Sequence, residues 1–99
     1  MFSIEYAVGV AEDIAELRAF DRTRLLDRIE EQLTQQPIQQ TRNKKILPGL
    51  KVPWDQVLPI WELRVGEFRV FYDVDDAKNL VTIRAIRRKP PDLTTEEIL

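Results

Sequence analysis

The sequence predicts an α+β fold in which a helical hairpin packs on one face of a small, twisted antiparallel sheet. Apolar residues recur at helical spacing in the first third of the chain, which indicates two amphipathic helices. Later runs alternate apolar and polar residues, as half-buried strands do. The predicted order of elements is therefore β-α-α-β-β-β, within one domain that spans residues 1–99.

The first strand and both helices are predicted before Pro37. Residues 2–6 alternate and predict a strand, and an apolar stripe at helical spacing begins at Val10. Asp21 suits the N-cap of the second helix. This helix ends shortly before Pro37, because the residue before a proline avoids the helical region. The two helices share an apolar face, and in a chain this short only the sheet can bury it.

The strands of the sheet come after an irregular segment. Residues 37–59 contain four prolines, and Trp54 should anchor this segment to the body of the protein. A hairpin follows, since Gly66 stands where a tight turn needs a positive φ. After the last strand, Thr94 and Glu97 have the spacing of a capping box. The three strands are predicted at residues 60–65, 67–74 and 80–87. The predicted core comprises Leu17, Leu25, Leu26, Ile29, Leu63, Val70, Tyr72, Val81 and Ile83.

The composition describes an ordinary folded domain, with 43% hydrophobic and 32% charged residues. The chain has no Cys and no His, so we expect no disulfide, no metal site and no cofactor, and the commonest general base is missing. No apolar run approaches the roughly 20 residues of a membrane span. No secretory signal is visible either. We therefore expect a cytoplasmic protein that does not contact a membrane.

Basic residues are unevenly distributed, although the formal net charge is -2. Residues 41–70 carry six basic and three acidic side chains. Several arginines fall in or just after the predicted strands, where a sheet could gather them on one surface that binds phosphate or carboxylate groups. These arginines are Arg64, Arg69, Arg84, Arg87 and Arg88. Basic side chains of the segment before the sheet could add to such a surface, namely Lys44, Lys45 and Lys51.

The stretch from Trp61 to Tyr72, WELRVGEFRVFY, carries a family pattern: Leu-Arg-x-Gly-x-Phe/Tyr-Arg-x-x-Tyr. With the predicted order of elements and the Lys44-Lys45 pair, it resembles the RelE/ParE toxin superfamily of bacterial type II toxin–antitoxin modules. The resemblance covers nearly the whole chain. It implies a compact toxin that a cognate antitoxin wraps around and inhibits in a hetero-oligomer. One branch of the superfamily cleaves messenger RNA in the ribosomal A site, and another poisons DNA gyrase without a known nucleolytic centre.

The resemblance implies four catalytic candidates if the protein cleaves RNA. Arg69 stands where the mRNA-cleaving branch keeps a sheet arginine that contacts the scissile phosphate, and Arg64 is the arginine before the hairpin glycine. Arg88 or Lys89 stands at the place of a further catalytic arginine. The sequence departs from the cleaving branch where Ile60 and Glu62 replace basic residues, and no aromatic residue follows Tyr72.

Three functions remain open at the level of sequence. The leading hypothesis is a ribosome-dependent mRNA endonuclease, for which Lys44, Lys45, Lys51, Arg84 and Arg87 would bind the nucleic acid. The alternatives are a noncatalytic inhibitor of DNA gyrase and an inactive family member that acts as a binding module. The general base of a nuclease is not identified, since an arginine stays protonated. Arg69 could also have a structural role through an ion pair with Asp73.

Overall fold

The computed structural model describes residues 1–99, and the predicted α+β fold is confirmed. The elements are, in chain order, β1 (Ser3–Tyr6), α1 (Val10–Ala15), α2 (Ala19–Leu33), β2 (Lys44–Ile46), β3 (Trp61–Val65), β4 (Phe68–Asp75), β5 (Leu80–Arg88) and a 3-10 helix (Glu96–Ile98). Neither α-helix is both long enough and apolar enough to cross a membrane.

The five strands form one sheet in the order β1-β5-β4-β3-β2. Strands β2 to β5 pair antiparallel, as predicted for the last three of them, but β1 pairs with β5 in parallel. The sheet is therefore mixed. Parallel pairing of β1 with β5 is possible because the two helices and three strands between them form the long crossover that it requires. Strand β2 was not predicted. It has three residues, which are too few to show alternation.

The helical face of the sheet carries the larger core. Leu25, Ile29 and Leu33 recur every four residues along α2 and are fully buried against β3, β4 and β5. Seven of the nine predicted core residues are buried here, and Leu17 and Leu26 lie partly buried at the margin. Burial of such apolar side chains contributes about 1.5–3 kcal/mol each, so this face supplies most of the stability of the fold.

Helix α2 begins three residues earlier than predicted, so the prediction that Asp21 is its N-cap was wrong. Arg18 occupies the N-cap position with extended backbone angles. Asp21 lies in the first turn, where the positive end of the helix dipole favours a carboxylate. It accepts a hydrogen bond of 3.4 Å from Arg18 Nε.

The face of the sheet away from the helices, called here the outer face, is also covered. A second apolar cluster of Ile60, Phe71 and Ala85 lies on it, under the irregular segment and the C-terminal residues. Trp54 packs on Phe71 with ring centroids 5.3 Å apart, which confirms that it anchors the segment. The C-terminal turn is held by the predicted capping box: Thr94 N donates to Glu97 Oε1 (2.9 Å), and Glu97 N donates to Thr94 Oγ1 (3.3 Å).

Candidate functional site

Three arginines stand directly opposite one another across the three longest strands. The register pairs Arg64 of β3 with Arg69 of β4, and Arg69 with Arg87 of β5. Side chains at paired positions project from the same face of a sheet, so this arginine row lies on the outer face. Like charges directly opposite one another destabilise a sheet. An anion bound at the arginine row would offset this repulsion.

Arg69, at the centre of the row, is held by the hairpin backbone. Its Nη1 donates to the carbonyl oxygens of Gly66 (2.9 Å) and Phe68 (3.0 Å), and only 7% of the residue is exposed. Its Nε is buried without a hydrogen-bond partner. Burial lowers the pKa of Arg69, the charge of Arg64 lowers it further, and Glu62 acts in the opposite direction. The guanidinium is thus part of the hairpin's own structure.

The alternative in which Arg69 pairs with Asp73 was wrong. Asp73 Oδ2 instead accepts hydrogen bonds from Arg84 Nε (2.6 Å) and from the backbone N–H of Val57 (2.9 Å). Arg84 Nη2 reaches the second carboxylate oxygen at 3.4 Å. Arg84 is therefore engaged in a largely buried ion pair that also holds the irregular segment, and it is not free to bind a phosphate.

Arg87 ends the arginine row near the C-terminal end of β5 and is half-buried. Its guanidinium lies over the ring of Trp54, 5.1 Å from the centroid, and its Nη1 donates to the carbonyl of Ile86 (3.1 Å). Asp13 of α1 lies 3.9 Å away. Of the three arginines in the row, only Arg64 is exposed and without an ion pair within 4.0 Å.

Of the two remaining catalytic candidates, Arg88 and Lys89, Arg88 does not join Arg69. Arg88 pairs in register with Phe68 on the helical face, lies 4.7 Å from the centroid of its ring, and forms an ion pair of 2.7 Å with Glu67. The amide of Lys89 donates to the carbonyl of Glu67 (2.6 Å). The hairpin turn and the end of β5 are thus tied together, with Arg88 on the opposite side of the sheet from the arginine row.

The three lysines considered for nucleic-acid binding lie in different surroundings. Lys44 is buried, and its Nζ donates to the carbonyl oxygens of Gln36 (2.7 Å) and Gln32 (3.3 Å) at the end of α2, so it does not face a ligand. Burial lowers the pKa of Lys44. Lys45 is exposed, 4.0 Å from Glu62, and Lys51 is exposed on the irregular segment.

No proton acceptor stands free beside the arginine row. Glu62 is 2% exposed, with Lys45 Nζ 4.0 Å from one carboxylate oxygen and the Thr95 hydroxyl 3.4 Å from the other. Glu67 is exposed and paired with Arg88. Tyr72 is buried with its hydroxyl donating to the Pro37 carbonyl (2.6 Å), and burial raises its pKa. Arginine side chains can bind anions here, but proton transfer lacks a positioned residue.

The structure adds two arginines that the sequence did not single out. Arg24 and Arg28 of α2 line a pocket of about 280 Å³ at the end of the β3–β4 hairpin, together with Asn43, Arg64, Val65 and Gly66. Their spacing of four residues, which can be read from the sequence, places both on one side of a helix. Their approach to the hairpin depends on tertiary packing and could not be read from the sequence. No group of three or more Asp, Glu, His or Cys side chains comes together to hold a metal ion.

Comparison with known proteins gives one family and a consistent fold. Residues 4–89 match the family described as the ParE toxin of the type II toxin–antitoxin system, parDE. No curated protein matches the chain. Among solved structures, the fold is similar to the isolated Escherichia coli RelE toxin, with a TM-score of 0.69, 15% identity, and 98% of this chain and 94% of that chain covered.

Two toxin–antitoxin complexes are similar in the same way. For the archaeal RelE–RelB complex from Pyrococcus horikoshii the TM-score is 0.69 and the identity 18%, with 91% of this chain and 97% of that chain covered. For the RelBE2 complex from Mycobacterium tuberculosis the TM-score is 0.68 and the identity 18%, with 89% and 98% covered. At these identities the similarity shows the fold alone.

Proposed function

The chain belongs to the ParE family of toxins from type II toxin–antitoxin systems, and we propose that it acts by binding and inhibiting DNA gyrase, without cleaving RNA. The gyrase-directed branch of the superfamily needs no nucleolytic centre. A toxin of this kind acts through its surface, so its arginines can serve binding and structure.

The state of Arg69 carries this proposal. A nuclease that uses this arginine must present its guanidinium to the scissile phosphate. Here the residue is 7% exposed, and its Nη1 already donates to two hairpin carbonyls. Withdrawing it would leave both carbonyls without that donor, and for the buried contact to the Phe68 carbonyl this loss costs about 1–3 kcal/mol. The geometry therefore favours a structural role for Arg69.

The surroundings of the arginine row support the same proposal. RNA cleavage through the 2′-hydroxyl needs a group that takes its proton and a group that protonates the leaving oxygen. Glu62 is buried and already contacted by Lys45 and Thr95, and Tyr72 is in the core. Arg88, which the resemblance placed at a catalytic position, lies on the helical face. The residues available around the row suit binding better than proton transfer.

Ribosome-dependent mRNA cleavage is the second candidate, and the arginine row favours it. Arg64, Arg69 and Arg87 are brought together by the register despite their mutual repulsion, and positive charge is what a developing phosphorane requires. In that case the proton acceptor would be a group of the ribosome. An inactive family member that only binds the antitoxin is the third candidate.

We also propose that the protein is held inactive in a hetero-oligomer by a cognate antitoxin. Two of the similar solved structures are complexes of a toxin with its antitoxin. A short reading frame beside the gene is expected to encode the antitoxin. Its product should copurify with this protein and restore growth when both are expressed.

Pulse labelling after induced expression tests the proposed target. Incorporation of thymidine should fall before that of methionine, and the purified toxin should inhibit supercoiling by gyrase in vitro. Co-expression of the antitoxin is the control and should abolish both effects. The proposal is wrong if methionine incorporation falls first and messenger RNA is cut within translating ribosomes. Unchanged growth and labelling would instead indicate the inactive binding module.

A further inference from the structure

We propose that the pocket at the end of the β3–β4 hairpin binds phosphate groups. This hairpin-tip pocket has a volume of about 280 Å³ and is lined by Arg24, Arg28, Asn43, Arg64, Val65 and Gly66. Helix α2 supplies two of its arginines and strand β3 the third. The proposal goes beyond the inhibition of gyrase, because it concerns the chemistry of a ligand that the isolated chain should bind whichever target the toxin has.

The charge of the hairpin-tip pocket is not neutralised within the protein. None of its three arginines has a carboxylate within 4.0 Å, although five ion pairs form elsewhere. The nearby carboxylates of Asp21 and Glu67 are paired with Arg18 and Arg88. Asp27 lines a neighbouring cleft of α2 together with Arg24 and Arg28, but it forms no ion pair with either arginine. Three unpaired positive charges therefore line one concave site on a protein whose net charge is -2.

This arrangement has a cost within the fold. Arg24 and Arg28 are four residues apart, and like charges at this spacing destabilise a helix by about 0.2–0.5 kcal/mol. The charge of Arg64 also lowers the pKa of Arg69. A bound anion would offset the repulsion at the pocket. We therefore infer that these arginines are placed there to bind an anion.

Gly66 allows the helix and the hairpin to meet at the pocket. Its φ is +57°, which residues other than glycine rarely adopt. A Cβ at this position would also collide with the guanidinium of Arg24. Glycine therefore serves both the turn and the approach of Arg24. The guanidinium of Arg24 therefore lies directly against the hairpin turn, at the rim of the pocket.

Phosphate fits this pocket better than a carboxylate does. A guanidinium forms two parallel hydrogen bonds with either group, but three arginines offer more charge than one carboxylate neutralises, and a phosphate carries more negative charge and more acceptor oxygens. The side-chain amide of Asn43, which also lines the pocket, is a neutral donor. The phosphate could come from a nucleic-acid backbone or from a free polyphosphate, and the two sources share the same chemistry at the pocket.

Titration of the purified 99-residue protein with inorganic pyrophosphate and with a short single-stranded oligonucleotide tests the proposal. We expect Arg24→Gln and Arg28→Gln each to weaken binding roughly tenfold, the loss of a charge-assisted hydrogen bond. For the oligonucleotide, each substitution should also reduce the slope of log K against log salt by about 0.7. Lys78→Gln is the matched control. It removes one positive charge from the far end of β4, roughly 23 Å away at the rise of a strand, and should change neither value.

The outcomes distinguish a nucleic-acid backbone, a free phosphate and a carboxylate as the ligand of the pocket. Pyrophosphate that displaces the oligonucleotide, with amide shifts at Gly66 and Asn43 in NMR spectra, would show that the pocket accepts free phosphates as well as a backbone. Binding of the oligonucleotide alone would identify the backbone as the source. The proposal is overturned if both arginine variants bind like the control while circular dichroism shows them folded. It is also overturned if an oligo-glutamate peptide binds more tightly than either phosphate ligand.

Discussion

Replacing Arg84 by methionine should destabilise the protein strongly, although the sequence suggested a surface arginine that binds nucleic acid. Methionine has a similar length and no charge. Asp73, the ion-pair partner of Arg84, is 4% exposed and would keep only the hydrogen bond from the Val57 amide (2.9 Å). The carboxylate would then remain buried without a compensating charge, which is the costly way to break an ion pair.

The structure sets the magnitude of this loss. Removing one partner of a buried ion pair typically costs about 3–5 kcal/mol. The side chain of Arg84 is 22% exposed, so water reaches part of the pair, and we expect a loss of about 3 kcal/mol, at the lower end of that range. For a domain of this size each kcal/mol lowers the melting temperature by about 4–8 °C, which gives a fall of about 12–24 °C.

Thermal and urea denaturation of Arg84→Met measure the loss, and two further variants interpret it. Adding Asp73→Asn removes the orphaned charge and should recover about 1–2 kcal/mol. Lys78→Met, on an exposed turn, should stay within about 0.5 kcal/mol of the wild type. Toxicity should fall only as far as the folded fraction falls. An Arg84→Met protein with wild-type stability and no toxicity would refute the reasoning, and would place Arg84 in the functional surface.

Two further predictions concern the hairpin and the end of α2. Gly66→Ala should cost about 1–2 kcal/mol, the strain of a left-handed residue. Gly49→Ala (φ +75°, open space) is its matched control and should cost as much in urea denaturation, but only Gly66→Ala should shift the Nε–Hε resonance of Arg24. Lys44→Met should cost about 1–2 kcal/mol at neutral pH, because two carbonyls lose their donor. Burial lowers the pKa of Lys44 in the folded protein below its ordinary value of 10.5. Between the lowered pKa and 10.5 the unfolded chain binds more protons than the folded one. The stability of the wild type should therefore rise with pH in this range relative to the variant. A urea-midpoint difference that stays constant as pH rises would contradict this.

Local patterns determined most of the fold. The apolar stripe of α2 and the alternation of β3, β4 and β5 are properties of short windows, and each places its residues on one face whatever lies further along the chain. Gly66 marked the hairpin, and Thr94 with Glu97 marked the C-terminal turn, because both are local backbone requirements. The family pattern from Trp61 to Tyr72 likewise lies within one hairpin.

Only the tertiary structure decided where the charges find their partners. Arg69 and Arg84 lie in predicted strands and Arg88 directly follows one, yet Arg69 is held by hairpin carbonyls, Arg84 by Asp73 and Arg88 by Glu67. The parallel pairing of β1 and the cover over the outer face depend on contacts between residues far apart in the chain. The same holds for Arg24 beside Gly66. Periodicity assigns a side chain to a face, but the distance between two charges depends on register, on crossovers and on how a helix lies on the sheet, and these follow from long-range packing.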